Sequence, residues 1–161
     1  MSQQVSDAAD DGARPSTSGA IRVAGPRPAY LVGRLDRVLR RHLEDGMRPH
    51  ALTVAQYMTL SALRARDGLS NAQLARHAFI SPQSMNEVVK ALADRGFLRR
   101  HPDPRHGRIL RSELTAAGAR ALDECDKVVD AIEHEMLAGL SDGEREQLRS
   151  FLRSCLGQLQ S

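Results

Sequence analysis

The sequence has no tryptophan, two tyrosines and three phenylalanines, so aromatic residues make up only 3% of it. Sandwiches and barrels lean on aromatic and β-branched side chains, and this scarcity turns the reading toward helices packed through Leu, Val, Ile and Ala. Hydrophobic residues still account for 41% of the 161 residues, enough for the core of one domain. No apolar run approaches the length of about 18 residues that crosses a bilayer, which excludes a spanning helix. The N-terminal segment lacks the basic-then-apolar order of a secretory signal, so a cytoplasmic location is expected. The only two cysteines, Cys125 and Cys155, lie in apolar helical stretches without metal-ligand spacing. Both are expected as buried thiols in a reducing compartment, with a redox switch as the alternative. A nucleophile elbow, a phosphate-cradling glycine loop and a His/Cys/Asp metal constellation are all missing from the sequence, and the six histidines are scattered. That argues against an enzyme and implies neither cofactor nor metal.

Charge is informative through its distribution. The net charge is only +3, yet residues 53–115 carry ten Arg/Lys against five Asp/Glu, while residues 116–161 carry five against nine. A basic middle and an acidic C-terminal third suggest that the middle meets a polyanion.

Residues 1–27 are rich in Ser, Ala, Gly, Asp and Pro and read as a disordered arm. Arg14, Arg22 and Arg27 could touch a phosphate backbone, but Asp7, Asp10 and Asp11 offset them. From Pro28, Leu31, Leu35, Val38, Leu39 and Leu43 recur at helical spacing, with Gly46 as the stop. Thr53 and Gln56 form a capping box that opens a second helix running toward Gly68, and Ser70 with Gln73 opens a short third. After a break at residues 78–80, Ser81 stands at an N-cap position with Pro82 at the first helical position, and Gly96 follows the end of that fourth helix. Two strand-like runs, 97–101 and 109–114, flank a turn-rich basic connection and read as a β-hairpin. A long helix follows Thr115, with Cys125, Val128 and Ile132 in its apolar stripe. Ser141 and Glu144 cap a last helix carrying Leu148, Phe151, Leu152, Cys155, Leu156 and Leu159.

The order helix, helix, short helix, break, helix, hairpin is a winged helix-turn-helix plan, in which the helix after the break can enter a major groove. The fold class expected is mainly α with a small β-hairpin. With Met85, Val88, Val89 and Leu92 inward, the fourth helix turns Gln83, Glu87 and Lys90 outward, with Ser84 and Asn86 on the flanks. Gln and Asn can pair bidentately with adenine, Ser serves several bases, and Glu87 either accepts from cytosine or repels phosphate. The helix start at Ser81 offers free backbone N–H groups to a phosphate. Arg105 and Arg108 stand on a glycine-containing tip with no acidic residue between them, as suits insertion into a minor groove.

Residues 30–159 resemble the MarR (multiple antibiotic resistance regulator) family. The resemblance is carried by Leu74 and Ala75, the run from Ser84 to Leu92, Gly96 to Leu98, and the wing from Asp103 to Arg108 followed by Leu114, Thr115 and Gly118. It implies a homodimer in which the first and last two helices of each subunit interlock (residues 28–46 and 116–160). Residues 53–115 would then form the DNA-binding unit of a domain spanning 28–161. It also implies binding to a pseudo-palindromic operator, usually as a repressor relieved by a small ligand. The apolar stripes of the flanking helices exceed what one small winged unit could cover, which fits an interface. By resemblance, Arg41, His42, Tyr57 and Met58 are candidates for lining an effector pocket. The wing departs from the family at His106, where an aspartate commonly helps orient the following arginine, and no reactive cysteine lies near the first helix. A histidine at the tip can add positive charge on protonation. DNA binding should therefore tighten modestly as the solution is acidified, and an unchanged pH profile in His106→Ala would count against the idea. The rival reading is a winged-helix protein-interaction module that binds no DNA. Steep weakening of duplex binding with salt separates the two.

Overall fold

The computed structural model describes residues 25–160. Most of the arm expected over residues 1–27, including Arg14 and Arg22, lies outside the described residues. Six α-helices and a three-stranded antiparallel sheet follow in the order α1 (Pro28–Met47), a 3-10 turn (Arg48–His50), α2 (Val54–Ala65), β1 (Leu69–Ser70), α3 (Asn71–His77), α4 (Pro82–Asp94), β2 (Leu98–Pro102), β3 (Leu110–Leu114), α5 (Ala116–Met136) and α6 (Asp142–Gln160).

Local chemistry explains the helix starts. The side chains of Thr53 and Ser70 each accept from the backbone N–H three residues on, and Gln56 and Gln73 answer by accepting from the cap residue's N–H. Thr115 caps α5 by accepting from Gly118 N, and Ser141 exchanges the same kind of bonds with Glu144. The α2 helix stops at Ala65, short of Gly68, which adopts φ +75° and turns the chain into β1. Gly46 corrects the sequence reading. It does not end α1, which runs on to Met47; a Cβ there would come within 2.4 Å of Val128 Cγ1, so the glycine permits close approach of α1 to α5.

The core is formed by α2, α3, α4 and the first half of α5. Leu60, Leu63, Leu74, Met85, Val89, Leu92, Leu122 and Cys125 are fully buried there. Tyr57 and Arg64 tie α2 to α5: the Tyr57 hydroxyl donates to Asp126 at 3.0 Å, and Arg64 reaches Asp126 at 2.5 Å and Asp123 at 3.1 Å. Burial first, and the Asp126 carboxylate second, push the Tyr57 phenol up to about 12. Strand β1 is an addition to the expected hairpin. It pairs Leu69 with Ser112 and Ser70 with Arg111, putting β3 in the centre of the sheet.

Two surfaces are left apolar. Tyr30, Leu31, Val32, Leu35 and Val38 on α1, and Phe151, Leu152 and Leu156 on α6, are all exposed. No described residue of α6 is buried, so Cys155, expected inside, is exposed, while Cys125 is buried and its thiol is raised by burial. The stripe on α6 is real, but none of the described residues covers it.

Candidate nucleic-acid interface

Helix α4 owes its placement to its apolar face. Met85, Val89 and Leu92 are fully buried and Val88 partly so, which leaves Gln83, Ser84, Asn86, Glu87 and Lys90 exposed on the other side. Ser81 accepts from Ser84 N at 3.0 Å, its hydroxyl lies 2.9 Å from that of Ser84, and Pro82 occupies the first turn, where no N–H is missed. Lys90 donates to Asp94 at 2.7 Å, and this contact raises its pKa. The Asn86 side-chain oxygen accepts from the amide of Asn71, the first residue of α3, so the two helices of the motif are joined at their outer surface. Gln83 and Glu87 have no side-chain partner among the described residues.

The hairpin supplies the second half of the surface. Strands β2 and β3 pair from Leu98 with Leu114 to Pro102 with Leu110, and the turn beyond carries Arg105, His106 and Arg108 into solvent. Their side chains have no partner among the described residues. What holds the turn is Asp103, only 6% exposed. Its carboxylate accepts from Arg105 N at 2.7 Å, from His106 N at 3.1 Å and from Arg111 Nε at 2.5 Å. The Arg105 N–H first and the Arg111 guanidinium second hold this carboxyl below its ordinary pKa. Arg111 also donates to Gly68 O and Gln73 Oε1, both at 3.1 Å, which fastens the base of the wing to the start of α3. Sequence reasoning named the arginines of the tip and placed Asp103 in the wing without assigning it a role, and it missed Arg111 and Asn71. The Asp-Pro pair at 103–104 was the available signal for a turn-forming aspartate. No local signal marked Arg111, whose partners lie up to 43 residues away.

The structure places the four candidates for effector contact in different surroundings. His42 lines a groove of about 210 Å³ between α1 and α5, together with Leu35, Val38, Leu39, Ile132 and Met136. Arg41 is exposed elsewhere on α1, Tyr57 is engaged by Asp126, and Met58 packs against the core.

Three helices around an apolar core, the last turning a polar face outward, followed by a hairpin with unpaired arginines at its tip, define a winged helix-turn-helix protein. Residues 50–109 match the family model described as the MarR family. The HTH-type transcriptional repressor Rv2887 of Mycobacterium tuberculosis is 35% identical over 123 residues, 76% of this chain and 88% of that protein. Crystal structures of that MarR family protein superpose with TM-scores of 0.68. The complex with DNA is 30% identical over 81% of this chain and 98% of that one, and the complex with salicylic acid is 32% identical over 82% and 98%. The chain belongs to the MarR family of transcriptional regulators.

Proposed function

We propose that the chain acts in the cytoplasm as a sequence-specific, duplex-DNA-binding transcriptional repressor, that it binds a pseudo-palindromic operator as a homodimer, and that a small ligand releases it. It performs no chemistry of its own. The observation that carries the reading is the outward set Gln83, Ser84, Asn86, Glu87 and Lys90 on α4, flanked by a wing whose Arg105, His106 and Arg108 have no side-chain partner among the described residues and whose backbone is pinned by Asp103. The Rv2887 complex with DNA supports duplex binding by relatedness, and its complex with salicylic acid supports an aromatic carboxylate as the effector class.

Function divides across the surface as follows. Helix α4 enters the major groove, where Asn86 and Gln83 offer the donor–acceptor pair that suits adenine and Ser84 adapts to its neighbour. Ser81 and the first turn of α4 meet a phosphate, and Lys90 exchanges its contact with Asp94 for one with DNA. Arg105 and Arg108 approach the minor groove or the phosphates bordering it. The exposed stripes of α1 and α6 cover each other across the dimer, each large side chain contributing about 1.5–3 kcal/mol when fully buried. Two such units then place two α4 helices on successive turns of one duplex face.

A salt titration on operator fragments selected from the source genome tests this. Binding should saturate at two chains per operator and weaken steeply with salt. Arg108→Ala should flatten the slope by about 0.9 units if the arginine meets one phosphate. Failure of the wild-type protein to bind any duplex at low salt would favour the protein-interaction module instead.

A further inference from the structure

The arginines of the sheet have unequal employment. Arg99 donates to Glu113 at 2.9 Å, and Arg111 is held by Asp103, Gly68 and Gln73. Arg100, between them in the sheet, is exposed and has no partner among the described residues. The register explains where it points. Arg100 pairs with Ser112 and Pro102 with Leu110, and paired residues share a face, so Arg100 and Leu110 lie on the side that carries buried Leu98 and Ser112. At its outer end that face runs past the core and borders the start of α3. There Arg100, Arg108, Ile109 and Leu110 stand across a notch of about 350 Å³ from Ser70 and Asn71.

The composition of this notch is unusual for a solvated edge. Two guanidinium groups without a partner among the described residues share it with two large apolar side chains that are 40% and 38% exposed, Ile109 and Leu110. One side opens on Asn71, which is bonded to Asn86 on α4. A cationic pair beside an apolar shelf matches a phosphodiester joined to a sugar, which presents a charge and an apolar ring face within one repeat.

We propose that the notch between the wing and α3 seats one sugar-phosphate unit of the DNA backbone, with Arg100 binding the phosphate and Ile109 and Leu110 lying against the deoxyribose. The inference rests on the DNA-binding reading and adds a residue to it. Arg108 at the tip and Arg100 at the base then grip the same strand, so the wing is fixed in register while α4 reads bases. A phosphate contact carries no sequence information, so Arg100 contributes affinity and salt dependence without base preference.

The test compares Arg100→Ala, Arg100→Lys and Arg99→Ala with the wild type, on a mixed-sequence duplex of about 30 base pairs and on the selected operator. Arg100→Ala should bind both about five- to tenfold more weakly at moderate salt and flatten the slope by about 0.9 units. The ratio between the two duplexes should stay at its wild-type value. Arg100→Lys should restore the slope, and Arg99→Ala should leave it unchanged. Thermal unfolding of Arg100→Ala should match the wild type, since an exposed, unpaired side chain is removed. A wild-type slope and affinity in Arg100→Ala would overturn the proposal while leaving the DNA-binding reading intact. Equal flattening by Arg99→Ala would also overturn it, because a diffuse charge effect would then suffice. Only a wild-type protein unable to bind either duplex would sink both.

Discussion

Gly118→Ala should lower the melting temperature by roughly 5–10 °C, corresponding to about 2–3 kcal/mol for a chain of this size. Alanine is ordinarily the better helix former by about 1 kcal/mol, so propensity alone gives the opposite sign. Contact decides the outcome. A Cβ at Gly118 would stand 2.0 Å from the Phe97 carbonyl oxygen and 2.9 Å from Leu114 Cδ1. The backbone oxygen cannot rotate away, because it already accepts from Thr115 N at 3.1 Å at the junction of β3 and α5. Helix α5 must therefore lift off the sheet, disturbing the Thr115 bonds to Gly96 O and from Gly118 N that fix its first turn. The comparison variant is Gly143→Ala in the first turn of α6, where a Cβ meets nothing within 4 Å. It should be neutral or slightly stabilising. Equal melting temperatures for the two variants, by calorimetry, would show that α5 accommodates the methyl group and that the junction is softer than its geometry.

That junction also shows which parts of the molecule a sequence exposes. The caps at Thr53, Ser70, Ser81 and Ser141 involve side chains and N–H groups within three residues of one another, so their chemistry is written locally. The same holds for the face of α4, where period alone separates Met85 and Val89 from Gln83 and Glu87. Strand β1 is the contrary case. Two residues cannot show alternation, and Leu69 and Ser70 are a strand only because Ser112 and Arg111 lie opposite. Gly46 was misread because glycine marks both helix ends and close helix contacts, and only the position of Val128 distinguishes them. Cys155 sits on an apolar stripe as read, but burial is a property of what packs against a stripe, and the described residues leave α6 uncovered. Within the candidate interface, the outward residues of α4 and the arginines of the tip were legible. The Asp103–Arg111–Gln73 linkage and the notch beside Arg100 were not, since each is assembled from segments far apart in sequence.

Asp103→Ala should cost more DNA affinity than loss of any single residue of the wing tip, although Asp103 itself is buried away from solvent and has no route to a phosphate. Its carboxylate is the common acceptor for two backbone N–H groups of the turn and for the Arg111 side chain. Removing it frees the turn and leaves Arg111 beside Gly68 and Gln73 without its anion. Apparent affinity scales with the fraction of time a binding-competent state is populated, so a wing correctly placed one-tenth of the time gives about a tenfold weaker complex. If Arg105 and Arg108 both lose their contacts, the salt slope should flatten by about 1.8 units, twice the effect of Arg108→Ala. Asp103→Asn keeps an oxygen for the two N–H groups and loses the charge facing Arg111, so it should fall between the two. Acidity offers a separate check on the carboxylate. Because the fold holds this carboxyl below its ordinary 3.8, its contribution to stability is complete above that pH and is lost as pH falls further, through the lower folded value. Melting curves of Asp103→Asn and the wild type should therefore stay separated by a constant margin at neutral and mildly acidic pH and converge only below about pH 4. Wild-type DNA affinity in Asp103→Ala would mean that the tip arginines find their groove without the buried aspartate, and that Asp103 serves folding alone.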